Sequence, residues 1–155
     1  MASKPEARIQ ELHLTLPPAP KPVAKYKTAV LVGNMLYVSG HGPAAIDGVK
    51  TAGKVGSDLT VEQGKAAARA VGLNVLSTVK ATLGSLDKVK RLVKTLGMVN
   101  GTPDFKEQPQ VINGFSELMA DVFGEDAGVG TRSAVGMGSL PSNIPVEVEC
   151  QFEVG

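Results

Sequence analysis

The sequence predicts an α+β domain, and three observations carry that reading. Strand-like segments come in pairs near both ends of the chain, two amphipathic helices lie between them, and the last segment alternates strictly between apolar and polar residues. The resulting order, ββ-α-β-α-ββ, is not a regular βα repeat. It implies an antiparallel-rich sheet with its helices on one face. The 155 residues fit one domain, 1–155, with enough chain to bury a core. At 43% hydrophobic and 20% charged, the composition is that of an ordinary globular protein.

Residues 4–14 read as a short helix with Ile9, Leu12 and Leu14 as its apolar positions. Pro17, Pro18, Pro20 and Pro22 then forbid helix and favour an extended tether, so that 1–23 form a helix and a Pro-rich lead-in. Two strands follow, 26–32 and 35–39, joined through Gly33-Asn34, which tolerate the positive φ of a two-residue hairpin turn. The Gly-rich stretch 40–56 has too few periodic apolar residues for a regular element and reads as loop with at most a short strand. Thr60-Val61-Glu62-Gln63 is a capping box, and Ala67, Ala68, Val71, Val75, Val79 and Leu83 continue from it at helical spacing. Gly84 is a natural stop. A strand over 89–99 and a helix over 108–123 come next, the helix burying Val111, Phe115, Leu118, Met119 and Val122 and ending at Gly124. Strands over 132–139 and Val146–Val154 complete the chain.

The last strand places Val146, Val148, Cys150, Phe152 and Val154 on one face and Glu147, Glu149, Gln151 and Glu153 on the other. The same parity, with Val135 and Met137 assigned to the core, puts Arg132, Ala134, Gly136 and Gly138 on the glutamate face. Small residues there imply close approach of another subunit. An arginine and a glutamate on one partly covered face suggest an anion site with a proton-transfer partner, since guanidinium binds carboxylate bidentately and a carboxylate can activate water. The competing reading is a plain salt bridge beneath a solvated row of glutamates.

Composition excludes several functions. The net charge of +1 gives no drive toward nucleic acid or an anionic membrane, and 4% aromatics without Trp leave no stacking platform for single-stranded RNA. The two histidines, His13 and His41, lack ligand-spaced companions, so no metal site is expected. His41 in a Gly-rich loop reads as solvated or touching a ligand. Cys150 reads as a buried small hydrophobe and not a nucleophile. Ser39 has no visible triad, and no phosphate-loop motif occurs. The mixed-charge start MASKPEARIQ has no apolar core of a secretory signal, no long apolar stretch predicts a membrane span, and a single cysteine fits a reducing compartment. A cytoplasmic location is expected.

Four segments, taken together and in order, resemble the RidA/YjgF family. They are Tyr26 followed by Gly33-Asn34-Met35 and YVSGHGP; QPQVINGFSEL; GTRSAVGMGSLP; and VEVECQFEV. The resemblance runs from about residue 24 to the C-terminus, and the chain is similar to a longer branch that carries an endoribonuclease label. It implies a chorismate-mutase-like fold, a mixed sheet backed by two helices, in a homotrimer with a cleft at each interface. It implies hydrolysis of reactive 2-imino acids or their enamines to 2-oxo acids and ammonia, with no cofactor and no metal. By motif position, Arg132 resembles the family arginine that binds the substrate carboxylate, and Glu147 the acid that positions water. Tyr26, Ser39, Gly40 and Asn113 resemble cleft residues. The chain departs from familiar imine deaminases at His41, where they often carry Gln, and at Ala134, where they often carry Cys. The expected partners are a small carboxylate-bearing substrate and two further copies of the chain, without membrane or nucleic acid. The alternatives are a non-catalytic 2-oxo or amino acid sensor, an RNA-cleaving enzyme, and a chaperone-like surface.

Overall fold

The computed structural model describes residues 2–155. The chain runs α1 (Pro5–Glu11), β1 (Ala29–Val32), β2 (Met35–His41), α2 (Val61–Leu83), β3 (Val89–Asn100), α3 (Gln108–Ala127), β4 (Thr131–Met137) and β5 (Val146–Val154), with single 3-10 turns at Leu86–Lys88 and Pro141–Asn143. The five strands form one sheet in the order β1-β2-β5-β3-β4. All neighbours are antiparallel except β3 and β4, which are parallel and joined by the α3 crossover.

The local signals explain most of these elements. Thr60 accepts from the Gln63 backbone N–H while the Gln63 side chain accepts from the Thr60 N–H, and Gly84 closes α2 in the left-handed region at φ 85°. Gly33 at φ 60° turns the hairpin from Val32 to Met35. Gly124 leaves helical geometry as expected, but one further turn, 125–127, follows it. The first helix is shorter than its apolar spacing suggests, because His13 adopts φ 53° directly after the Leu12 cap.

Helices α2 and α3 cover one face of the sheet. Val146, Val148, Cys150, Phe152 and Val154 are buried against them, together with Leu36, Val71, Val75, Phe115, Leu118 and Met119. The two helices approach closely because Gly64, Gly72 and Gly114 line their contact. A Cβ on Gly72 would lie 2.7 Å from a Leu118 methyl, and one on Gly114 would overlap the Lys65 backbone carbonyl. Among the described residues no helix lies over the opposite sheet face. Val30, Val32, Tyr37 and Val135 stand exposed there beside Glu147, Glu149, Gln151 and Lys94.

Two expectations need correction. The loop assigned to 40–56 begins later, because β2 continues through His41, and a β-bulge separates Val38, opposite Cys150, from His41, opposite Val148. Three residue steps on β2 therefore match two on β5, which returns His41 to the core face. The second correction concerns β4. Arg132 pairs with Thr95, which pairs with the buried Cys150, and Ala134 pairs with Gly97, whose α-carbon faces Ile112 of α3. Arg132 and Ala134 thus lie on the helix side. Val135 and Met137 share the open face with Glu147, the reverse of the expected parity. β4 is an edge strand with apolar residues on both faces, so its own pattern does not decide which face meets α3.

Candidate active site

The residues singled out from the sequence fall into two groups on opposite sides of the sheet. The first lies where α3 crosses the β4 edge. Arg132 Nη1 donates to Ser116 Oγ at 3.1 Å, and Asn113, one helical turn before Ser116, lines the same groove. Gly128, Val129 and Gly130 form its rim, and the groove encloses about 190 Å³. Among the described residues Arg132 has no carboxylate partner, so its fork is held in place by a neutral hydroxyl with donors to spare. Ser116 was not singled out in the sequence. Its signal was its position three residues after Asn113 on the same helix face.

The second group lies on the open face at the β2–β5 junction. Gly40 sits in the bulge, and a Cβ there would lie 3.0 Å from Glu147 Cδ and 3.1 Å from Oε2, so glycine is what lets the backbone reach the carboxyl. Burial, and secondarily the neighbouring Glu149 charge, raises the Glu147 carboxyl above its usual range. Ser39 Oγ donates to the Lys27 carbonyl at 2.6 Å, and its amide donates to the Thr28 carbonyl, tying the bulge to the segment that carries Tyr26. Tyr26 itself precedes β1 and is exposed. A depression of about 380 Å³ beside this group is lined by Tyr37, Ser39, Lys94, Glu149 and Gln151.

The groups do not meet within one chain. Glu147 shares a row with Met98 and Val135, and Arg132 lies three residues back along β4. Two strand spacings and three residue rises put their α-carbons about 14 Å apart, with side chains on opposite faces. A small substrate cannot touch both in one protomer.

His41 is neither solvated nor open to a ligand. It is buried, with Nδ1 2.6 Å from the Ser39 carbonyl and Nε2 2.7 Å from Thr78 Oγ1 of α2. A carbonyl only accepts, so Nδ1 carries the hydrogen and Nε2 accepts from the Thr78 hydroxyl. Burial holds its pKa below 6.5, against a smaller opposing effect of the Ser39 hydrogen bond. The unfolded chain therefore binds more protons just below that value. His41's contribution to stability is complete above about pH 6.5 and is lost as pH falls through its depressed folded pKa. The urea midpoint of the wild type should exceed that of His41→Asn by more at pH 7.5 than at pH 5.5; an equal gap at both would contradict the buried neutral imidazole. Cys150 is buried as expected, and burial pushes its thiol far above neutrality, so it stays protonated.

Comparison with known proteins gives consistent matches. The family model described as "YjgF/chorismate_mutase-like, putative endoribonuclease" matches residues 6–149. Protein TCP17 of Trypanosoma cruzi is 45% identical over 148 residues, covering 96% of this chain and 92% of its own. The solved structure of protein Atu1372 from Agrobacterium tumefaciens superposes with a TM-score of 0.87 at 41% identity, covering 97% of this chain and 92% of that one. YjgF from Escherichia coli superposes at 0.61 with 28% identity, over 87% and 92%.

Proposed function

Since the chain belongs to the YjgF/chorismate-mutase-like family, we propose that it hydrolyses reactive 2-imino acids, or their enamine tautomers, to 2-oxo acids and ammonia in clefts between the subunits of a homotrimer. The observation that carries this reading is the separation of the two half-sites. Among the described residues, the Arg132–Asn113–Ser116 groove holds a guanidinium fork and no carboxylate, and the Gly40–Glu147 corner holds a half-buried carboxyl and no guanidinium. An open sheet face with Val30, Val32, Tyr37 and Val135 exposed is a surface for another copy to cover. One subunit's β4 edge against its neighbour's β2–β5 corner completes a cleft.

In such a cleft Arg132 binds the substrate carboxylate through two parallel N–H···O bonds and fixes the C=N carbon. An enamine first takes a proton on carbon and becomes the imine. A water held by Glu147 then forms a C–O bond at the protonated imine carbon, and the C=N π electrons move to nitrogen. The carboxylate takes the water's proton and returns it to nitrogen. The C–N bond breaks, ammonia leaves, and loss of the hydroxyl proton gives the 2-oxo acid. The raised basicity of Glu147 suits both proton steps. Tyr26, Ser39 and Gly40 frame the glutamate side, and Asn113 supplies a polar contact on the arginine side.

RNA cleavage fits this site poorly. A two-histidine acid–base pair would need His41, which is buried and engaged on both nitrogens. The direct test generates 2-imino acids in situ with an amino-acid oxidase and lets semicarbazide compete to trap them. Wild-type protein is expected to suppress semicarbazone formation. No suppression across a broad set of imines would sink the catalytic reading and leave the Arg132 groove as a binding site for a small acid.

A further inference from the structure

We propose that His41 is a positioning residue: by donating from Nδ1 to the Ser39 carbonyl it locks the β2 bulge that presses Gly40 against the Glu147 carboxyl. The proposal rests on the reading of Glu147 as the base, and it extends that reading to a residue that does not touch substrate.

The bulge is the structural premise. Without it, His41 would fall on the opposite face from Val38, since an odd step along a strand reverses the side chain. The extra residue in β2 returns His41 to the core side opposite Val148 and leaves Ser39 and Gly40 to turn toward the glutamate row. A bulge loses ladder hydrogen bonds and needs other partners. Here the Ser39 carbonyl is taken by the His41 ring at 2.6 Å, the Ser39 amide by the Thr28 carbonyl at 2.9 Å, and the Ser39 hydroxyl by the Lys27 carbonyl at 2.6 Å. The first of these bonds is anchored from the far side, because His41 Nε2 is held by Thr78 in the middle of α2. Asn74, one turn earlier on α2, donates to the Gly42 carbonyl at 3.0 Å and fixes the chain just beyond the ring. The bulge is therefore bolted to the longest helix of the fold at two successive turns.

The consequence for chemistry follows from the close approach. Gly40 helps keep the Glu147 carboxyl half-buried, and burial is the leading cause of its raised basicity. If the Ser39 carbonyl is released, Gly40 is free to withdraw, water enters, and Glu147 returns toward an ordinary carboxylate. The groups facing His41 are uncharged on the α2 side, Thr78 and Asn74, and apolar on the β5 side, Val148. Glu147 and Glu149 lie on the other sheet face, and β1 and its lead-in present the backbone carbonyls of Thr28 and Lys27 to the bulge. No ionised side chain contributes to the His41 shift. The ring acts as a neutral bolt, not as an ion-pair partner.

The test compares His41→Asn, which keeps a donor at the Nδ1 position, with His41→Leu, which keeps bulk and loses the donor. The first readout is the ¹³C titration of the Glu147 carboxyl in the folded, assembled protein. Its midpoint should stay raised in wild type and His41→Asn and move toward the ordinary carboxylate value in His41→Leu. The second is imine turnover, where His41→Leu should lower kcat by about 10–100-fold with KM nearly unchanged, and His41→Asn should restore most of it. A folded His41→Leu protein whose Glu147 titrates as in wild type would overturn the proposal, whatever its melting temperature. The carboxyl titration needs no substrate, so it decides the role of His41 even if wild type proves inactive on every imine tried.

Discussion

Arg132→Ala is expected to lower kcat/KM for 2-imino acids by about 10²–10³-fold, the loss of a two-pronged charge-assisted clamp. The neighbouring side chains cannot substitute for it. Ser116 and Asn113 are neutral, and the other groove residues are apolar, glycine or the buried Thr95. Arg132→Lys keeps the charge without the planar fork and should fall between wild type and alanine. Stability should barely change, because the side chain is exposed at a sheet edge and makes a single hydrogen bond. Melting temperature and circular dichroism of the variant check that the loss is chemical. Near-normal turnover by folded Arg132→Ala would remove the clamp from the mechanism.

The greatest loss of stability is expected at Gly114, which follows Asn113 on α3 but faces α2 instead of the Arg132 groove. Gly114→Ala adds one methyl group to α3 where it would overlap the Lys65 backbone carbonyl of α2. A backbone carbonyl within a helix cannot swing aside as a side-chain tip can. Relief requires the two helices to separate along a contact that also seats Gly64 and Gly72, opening gaps around Val111, Phe115 and Leu118. Overpacking costs of about 1–3 kcal/mol assume some side-chain give, and this site has little, so the cost should exceed that range. For a domain whose whole stability is on the order of 5–15 kcal/mol, a melting temperature lower by at least about 10 °C is expected. A shift under about 2 °C would mean the helices part more easily than their packing implies.

How far the fold could be read in advance depended on whether a residue's surroundings are local. The β5 alternation, the Thr60–Gln63 box and the Gly84 stop each concern neighbours in sequence, and each has its expected form. The face of Arg132 does not. It is set by the parallel register of β4 on β3, through Thr95 and on to Cys150 across the sheet, and nothing within 131–137 encodes it. Val135 and Met137 misled because an apolar residue signals burial without saying by what. Among the described residues no helix covers their face, and Val135 stands exposed on it. His41 escaped because the glycines around it read as loop, whereas β2 continues through it and the bulge turns it to the core face. On the site, the strand pattern put Arg132 and Glu147 on one face, whereas the structure sets Arg132 beside Asn113 and Gly40 beside Glu147. That the two groups lie on opposite faces became visible only with the sheet assembled.

Mixing two inactive variants tests whether Arg132 and Glu147 from different subunits form one cleft. Arg132→Ala and Glu147→Gln would be purified separately, checked for folding and trimeric assembly, then mixed one to one under conditions that exchange subunits. If each cleft draws Arg132 from one subunit and Glu147 from the next, random mixing pairs two intact residues in about a quarter of the clefts. Imine hydrolysis should then return to about a quarter of the wild-type rate, from near zero in either variant alone. Exchanged mixtures that stay as inactive as their parents would contradict a cleft shared between subunits.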